Sequence, residues 1–139
     1  MGSSAYQVRA STCKPIEHID FTHPYTESLR NDLFAASVEA DIELVSNACY
    51  AATQGPRLET AAEVQKIKRD GGDIIGMTGM PEASLAREAG IDYASICLVS
   101  NLAAGIGSNE LNIEQIIQNV HAATEKVTRL LQSFVNLKP

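Results

Sequence analysis

With 139 residues the chain is long enough for one domain with a hydrophobic core. A hydrophobic content of 45% against 20% charged residues excludes a disordered polypeptide and reads as globular. A net charge of −6 with no basic cluster argues against nucleic acid as a partner, and no apolar stretch is long enough to span a bilayer, so no membrane is expected either. A small phosphate ligand stays open, because it needs only local donors.

Met1-Gly2-Ser3-Ser4 lacks the apolar core of a signal peptide. Residues 1–15 are expected to be a tag or unstructured lead-in, ahead of a single unit over 16–139. A helix is expected from near Pro24, with Leu29, Leu33, Phe34 and Val38 at helical spacing. Leu44 to Ala52 is a short apolar run that reads as a buried strand. The loop "TQGPRLET" follows. Thr60 with Glu63 three residues later forms a capping-box pattern, and the helix it opens ends at Gly71-Gly72. "DIIGM" reads as the second strand. Pro81 suits the first turn of a further helix and Gly90 its end. "YASICLVSN", residues 93–101, is almost wholly apolar and is expected to be a third strand buried on both faces. After a glycine-rich loop, Asn112 caps the last helix, with Gln115 completing a box. Ile113, Ile116, Ile117, Val120, Val127, Leu130, Leu131 and Phe134 form one stripe along it.

The order α-β-α-β-α-β-α implies an α/β fold: a mostly parallel sheet covered by helices on both faces. Three strands are few for such a sheet, so a partial sheet completed by further sequence or another chain is expected. Ligands in these folds bind beyond the carboxyl ends of the strands. Here those ends lead into "TQGPRLET", "MTGMPE" and "NLAAGIG". Arg57 and Glu59 flank Leu58 in the first loop and read as a solvated pair near a helix start, where Glu59 gains from the dipole. Thr78 in the second is a turn residue or a hydroxyl donor to an anion beside the helix that begins at Pro81. Met77 and Met80 read as packing residues. Asn101 in the third satisfies backbone groups or presents a donor and an acceptor to a heterocycle. Cys13, Cys49 and Cys97 are an odd count with no CxxC, and are expected to be reduced thiols in a cytoplasm, the last two in the core. His18, His23 and His121 are scattered, so no metal site is expected. Residue chemistry alone reaches an α/β domain with a polar cleft and no named ligand.

"GPRLETAAEV", "GMTGMPEASLAREAGIDYASICLVSN" and the tail helix closely resemble the trimeric purine nucleoside phosphorylase and methylthioadenosine phosphorylase family. "IEHIDFTHPYTESLR" fits the segment upstream, so the resemblance runs from about residue 16 to about 135. It implies phosphorolysis: a purine nucleoside and inorganic phosphate give free base and a pentose 1-phosphate, in nucleoside salvage. It also implies a cytoplasmic homotrimer with sites near subunit contacts, and no cofactor or metal beyond phosphate as co-substrate.

By position in the family, Asn101 is the catalytic residue, bonding N7 and the 6-substituent of the departing purine. Glu59 accepts from the N1 side, and Leu58 lines the base where the family usually has Phe. Met77 lies under the ribose, and Thr78 meets phosphate and a ribose hydroxyl. Ile113 borders the 5′ group, with His18 contributed across a subunit interface. Relatives that use 6-aminopurines have Asp where Asn101 stands, so Asn101 favours a 6-oxopurine. Ile113 stands where nucleoside-specific relatives carry His, and so suits an apolar 5′-alkylthio group. The implied substrate is a 5′-methylthio purine nucleoside, split to 6-oxopurine and 5-methylthioribose 1-phosphate. Alternatives are an ordinary phosphorylase for inosine or guanosine, a nucleosidase using water, and a truncated, non-catalytic purine-binding or assembly piece. Thr78 after Met77, where nucleosidases resemble a Met-Glu pair, favours the phosphorylases. The family's N-terminal half, with its glycine-rich phosphate loop, has no match here, so a half-built phosphate site is expected.

Overall fold

The computed structural model describes residues 18–107 and 112–137. The expected lead-in at 1–15, including Cys13, lies outside the described residues. The elements are α1 (Glu27–Glu39), β1 (Tyr50–Ala52), α2 (Ala61–Arg69), β2 (Ile74–Gly76), α3 (Glu82–Glu88) and α4 (Ile113–Leu137). β1 and β2 pair in parallel, with Tyr50 opposite Ile74, Ala51 opposite Ile75 and Ala52 opposite Gly76. The α2 crossover between them makes the parallel pairing possible.

The helix boundaries follow local signals. Thr60 accepts the Glu63 N–H (3.3 Å), and the Glu63 carboxylate accepts the Thr60 N–H (2.7 Å), so the capping box forms as its spacing requires. α2 ends at Asp70, and Gly71 follows with φ +94°. α3 ends ahead of Gly90, φ +67°. Asn112 caps α4 by accepting from the N–H groups of Glu114 (2.9 Å) and Gln115 (3.2 Å). Gln115 does not complete a box: its amide donates along the helix to Asn119 Oδ1 (3.1 Å). α1 begins without a side-chain cap, because Thr26 Oγ1 accepts instead from the Tyr93 N–H (3.1 Å).

The expected third strand is not one. Among the described residues, 93–101 forms no ladder, and its ends are held from outside any sheet. Tyr93 O accepts the Thr26 N–H (2.8 Å), and Ser100 O accepts from Asn119 Nδ2 (2.7 Å). A strand needs a neighbour for its alternate N–H and C=O groups, and no described segment supplies one. The first strand is shortened for the same reason. The segment 44–47 joins no ladder, and Arg30 of α1 pins it by donating to Ser46 O (2.8 Å) and Asn47 Oδ1 (2.6 Å). Val45 is 87% exposed and Val99 69% exposed, so neither run is buried. Cys49 and Cys97 stand on these uncovered runs and are exposed, not core thiols.

α1 packs on α4. Among the described residues the buried apolar side chains are Ala36, Val64, Ala83 and Leu130. Val38 faces solvent, and Ala36 with Ser37 takes the inner position on α1. Along the α4 stripe Leu130 is buried, whereas Ile113, Ile117, Val120 and Leu131 are exposed.

Candidate active site

The three loops expected at strand ends do approach one another, although the third follows an unpaired run. Gly55, φ +61°, lies against Met77: a Cβ built on it would stand 2.4 Å from Met77 Sδ. That backbone favours glycine, and a side chain there would have to displace the Met77 thioether. The first loop therefore lies on the second. Gly105 of the third loop approaches Ala61, the first residue of α2, with no room for a side chain (2.7 Å from a built Cβ to Ala61 Cβ).

Thr53 ties the first loop to the end of β2. Its N–H donates to Gly76 O (2.9 Å), and its hydroxyl donates to Glu59 Oε1 (2.7 Å). The Glu59 carboxylate is thus fixed relative to the Met77-Thr78 turn, with its second oxygen available to a ligand. A cleft of about 300 Å³ opens here, lined by Thr53, Gly55, Arg57, Glu59 and Lys66 among others. Leu58 is half exposed at its side.

Arg57 pairs not with Glu59 but with Glu63. Its two terminal nitrogens donate to the two Glu63 oxygens at 2.8 and 2.7 Å, and one also donates to Leu58 O (3.1 Å). The parallel geometry is the strong form of this contact. The Arg57 guanidinium, and after it the Thr60 N–H and hydroxyl, hold the Glu63 carboxyl well below the usual carboxylate range. In return, Glu63 pushes the Arg57 guanidinium up. The clamp spans the Leu58-Glu59 loop and fixes its exit into α2.

Thr78 is exposed, and its backbone N–H donates to Tyr50 Oη (3.1 Å). Met77 is exposed beside it. Asn101 is exposed at the end of the 93–101 run, with both amide atoms engaged locally. Its Oδ1 accepts from Ser100 Oγ (2.8 Å), and its Nδ2 donates to Leu102 O (2.9 Å). Ile113, the first residue of α4, is 61% exposed, and His18 is exposed near the start of the described chain. Tyr25, Tyr50 and Tyr93 cluster behind the second loop. The Tyr25 and Tyr93 rings stack with centroids 6.1 Å apart, and burial, followed by the neighbouring Cys97, Tyr93 and Tyr50, pushes the Tyr25 phenol up. Tyr50 and Thr53 had no signal in the chain order, since their partners lie 28 and 6 residues away. Among the described residues no cluster of three metal-ligating side chains occurs, and no helix is long and apolar enough to cross a membrane.

Loops that meet beside a parallel strand pair with a helical crossover are the frame of a class of protein, and the chain belongs to one such family: the phosphorylase superfamily, whose sequence profile matches residues 2–136. The particular likenesses are narrower. The chain is similar to a probable S-methyl-5′-thioinosine phosphorylase of Xanthomonas campestris pv. campestris, 47% identical over 84% of this chain and 47% of that protein. A probable 6-oxopurine nucleoside phosphorylase of Dictyoglomus turgidum is 44% identical over 85% of this chain and 44% of its own. Among solved structures, methylthioadenosine phosphorylase from Schistosoma mansoni in complex with adenine superposes with a TM-score of 0.83 at 26% identity, over 89% of this chain and 49% of that one. The chain thus spans about half the length of the relatives it matches.

Proposed function

We propose that the chain carries the base- and sugar-facing loops of an enzyme that splits 5′-methylthioinosine with phosphate, releasing hypoxanthine and 5-methylthioribose 1-phosphate. The observation that carries the reading is the fixed relation between Glu59 and the Met77-Thr78 turn, made by Thr53 and by the contact of Gly55 with Met77. In this reading the Glu59 carboxylate, which lines the cleft, takes a purine N1–H, while Met77 and Thr78 on the neighbouring turn serve the sugar face and phosphate. A phosphate oxygen bonds to C1′ as the C1′–N9 bond breaks, and the electron pair leaves with the purine. Donors to N7 and O6 favour that charge more in the transition state than in the ground state. Asn101 supplies such a donor once its amide turns from Leu102 O to a bound base.

The 6-oxopurine preference rests on Asn101. The 5′-methylthio preference rests on Ile113, an exposed apolar side chain with no group to pair a hydroxyl. The relative of Xanthomonas campestris supports the same substrate. In this reading the working protein is a cytoplasmic homotrimer, His18 reaches the 5′ group of a neighbouring subunit, and phosphate is the co-substrate with no metal or organic cofactor. The Dictyoglomus turgidum relative supports a second reading, a 6-oxopurine nucleoside phosphorylase acting on inosine. Initial rates on 5′-methylthioinosine and inosine at equal concentration separate the two. The first reading expects the methylthio nucleoside to be favoured about tenfold or more, the scale of an apolar pocket's discrimination. Equal rates, or a preference for inosine, would remove the role given to Ile113.

A further inference from the structure

The cluster behind the second loop contains a contact that the reading above does not use. Tyr50 leaves β1 and crosses to the end of β2, where its Oη accepts the Thr78 N–H at 3.1 Å and stands 3.4 Å from Thr78 Oγ1. The sequence around it is shaped to admit the ring. A Cβ on Gly76 would lie 2.1 Å from Tyr50 Oη and 2.8 Å from Cζ, so any other residue at 76 would expel the phenol. A Cβ on Gly79, whose φ of +84° already favours glycine, would come within 3.7 Å of the same ring and 4.0 Å of Tyr25 Oη. The turn that carries Thr78 is therefore bounded by two glycines and braced by one phenol.

We infer that Tyr50 is a positioning residue for Thr78: its phenol accepts the Thr78 N–H and donates its own proton to Thr78 Oγ1, so that the threonine hydroxyl is left to donate outward to an anion. The proton arithmetic permits this orientation. A phenol carries one hydrogen and accepts through its lone pairs. With one lone pair taking the Thr78 N–H, the phenol hydrogen remains available to Oγ1, 3.4 Å away. Thr78 Oγ1 then accepts from Tyr50, and its single hydrogen points away from the ring. A phosphate oxygen can only accept, so a hydroxyl held in the donating sense suits it, whereas a freely rotating one must first be oriented. The backbone N–H of Thr78, which in an open turn would itself face an anion, is committed to Tyr50. Only the side chain of this residue is then offered to the ligand.

The proposal rests on the phosphorylase reading for the identity of the anion, but the contact is testable without it. The test uses Tyr50→Phe, which keeps the ring and removes only the oxygen, alone and combined with Thr78→Val, in the full 139-residue chain. Amide hydrogen exchange at Thr78 is expected to accelerate about tenfold in Tyr50→Phe, while the Ile74 and Ile75 amides of β2 stay as they were. Inorganic phosphate, titrated by calorimetry, is expected to bind about three- to tenfold more weakly to Tyr50→Phe than to the unchanged chain, the usual scale of one lost hydrogen bond. In the Thr78→Val background the same substitution is expected to cost nothing further, because contacts that act through one group are not additive. Equal weakening in both backgrounds would make Tyr50 a general support for the fold and overturn the proposal. So would unchanged exchange at Thr78. Failure of the unchanged chain to bind phosphate would show that the half-built phosphate site does not suffice alone, and Thr78 exchange would then decide the role of Tyr50.

Discussion

Glu59 acquires its value from Thr53, not from its charge alone. A lone carboxylate ahead of a helix is ordinary, but one whose Oε1 is held at 2.7 Å by a hydroxyl at the end of β1 keeps its other oxygen in a set direction. Replacing Glu59 by Gln keeps the Thr53 bond and exchanges a charged acceptor for a neutral amide. Hypoxanthine affinity, measured by calorimetry, is expected to fall about tenfold, since hydrogen bonds to charged groups are the stronger class. An unchanged affinity would mean that the purine does not meet Glu59. Asn101 stands differently. Its amide is engaged with Ser100 and Leu102, so in the proposed reading a base has to replace the Leu102 contact.

At the scale of elements, what was legible in the sequence was what is decided locally. The Thr60–Glu63 box, the glycines that end α2 and α3, and the Asn112 cap each depend on residues within one turn. The unpaired state of 93–101, expected to be a strand, is not legible in the sequence, because an apolar run states that it wants cover and a ladder but not whether a neighbour provides them. The pairing of Arg57 was misjudged for a related reason. Glu59 is nearer in sequence, yet the turn into α2 carries Glu63 round to the guanidinium. This clamp has a pH signature. Glu63 is held below its ordinary range, so its contribution is present in full above the usual carboxylate value of about 4.3 and is lost as pH falls below it. Glu63→Gln is therefore expected to lower the denaturation midpoint at pH 7, with the difference from the unchanged chain narrowing steadily between about pH 4 and pH 2. A difference that does not change with pH would show that the ion pair plays no part in holding the loop.

The molecule as a whole has the frame of its family and a sparse interior. Among the described residues Leu130 is the largest side chain that is fully buried, while Val45, Val99 and Leu102 face outward. The chain spans about half the length of the relatives it matches. The three loops are nonetheless drawn together by contacts among the described residues: Gly55 on Met77, Gly105 on Ala61, and Thr53 between Glu59 and Gly76. That convergence, with the superposition on a methylthioadenosine phosphorylase, makes the 139-residue chain the object that tests whether these loops suffice without the family's glycine-rich phosphate loop. The measurement is the conversion of 5′-methylthioinosine by the purified chain, with and without inorganic phosphate, following both hypoxanthine and the sugar product. The expected result is hypoxanthine release that requires phosphate, matched mole for mole by 5-methylthioribose 1-phosphate. Release without phosphate, giving the free sugar, or no release under either condition, would contradict phosphorolysis by this chain.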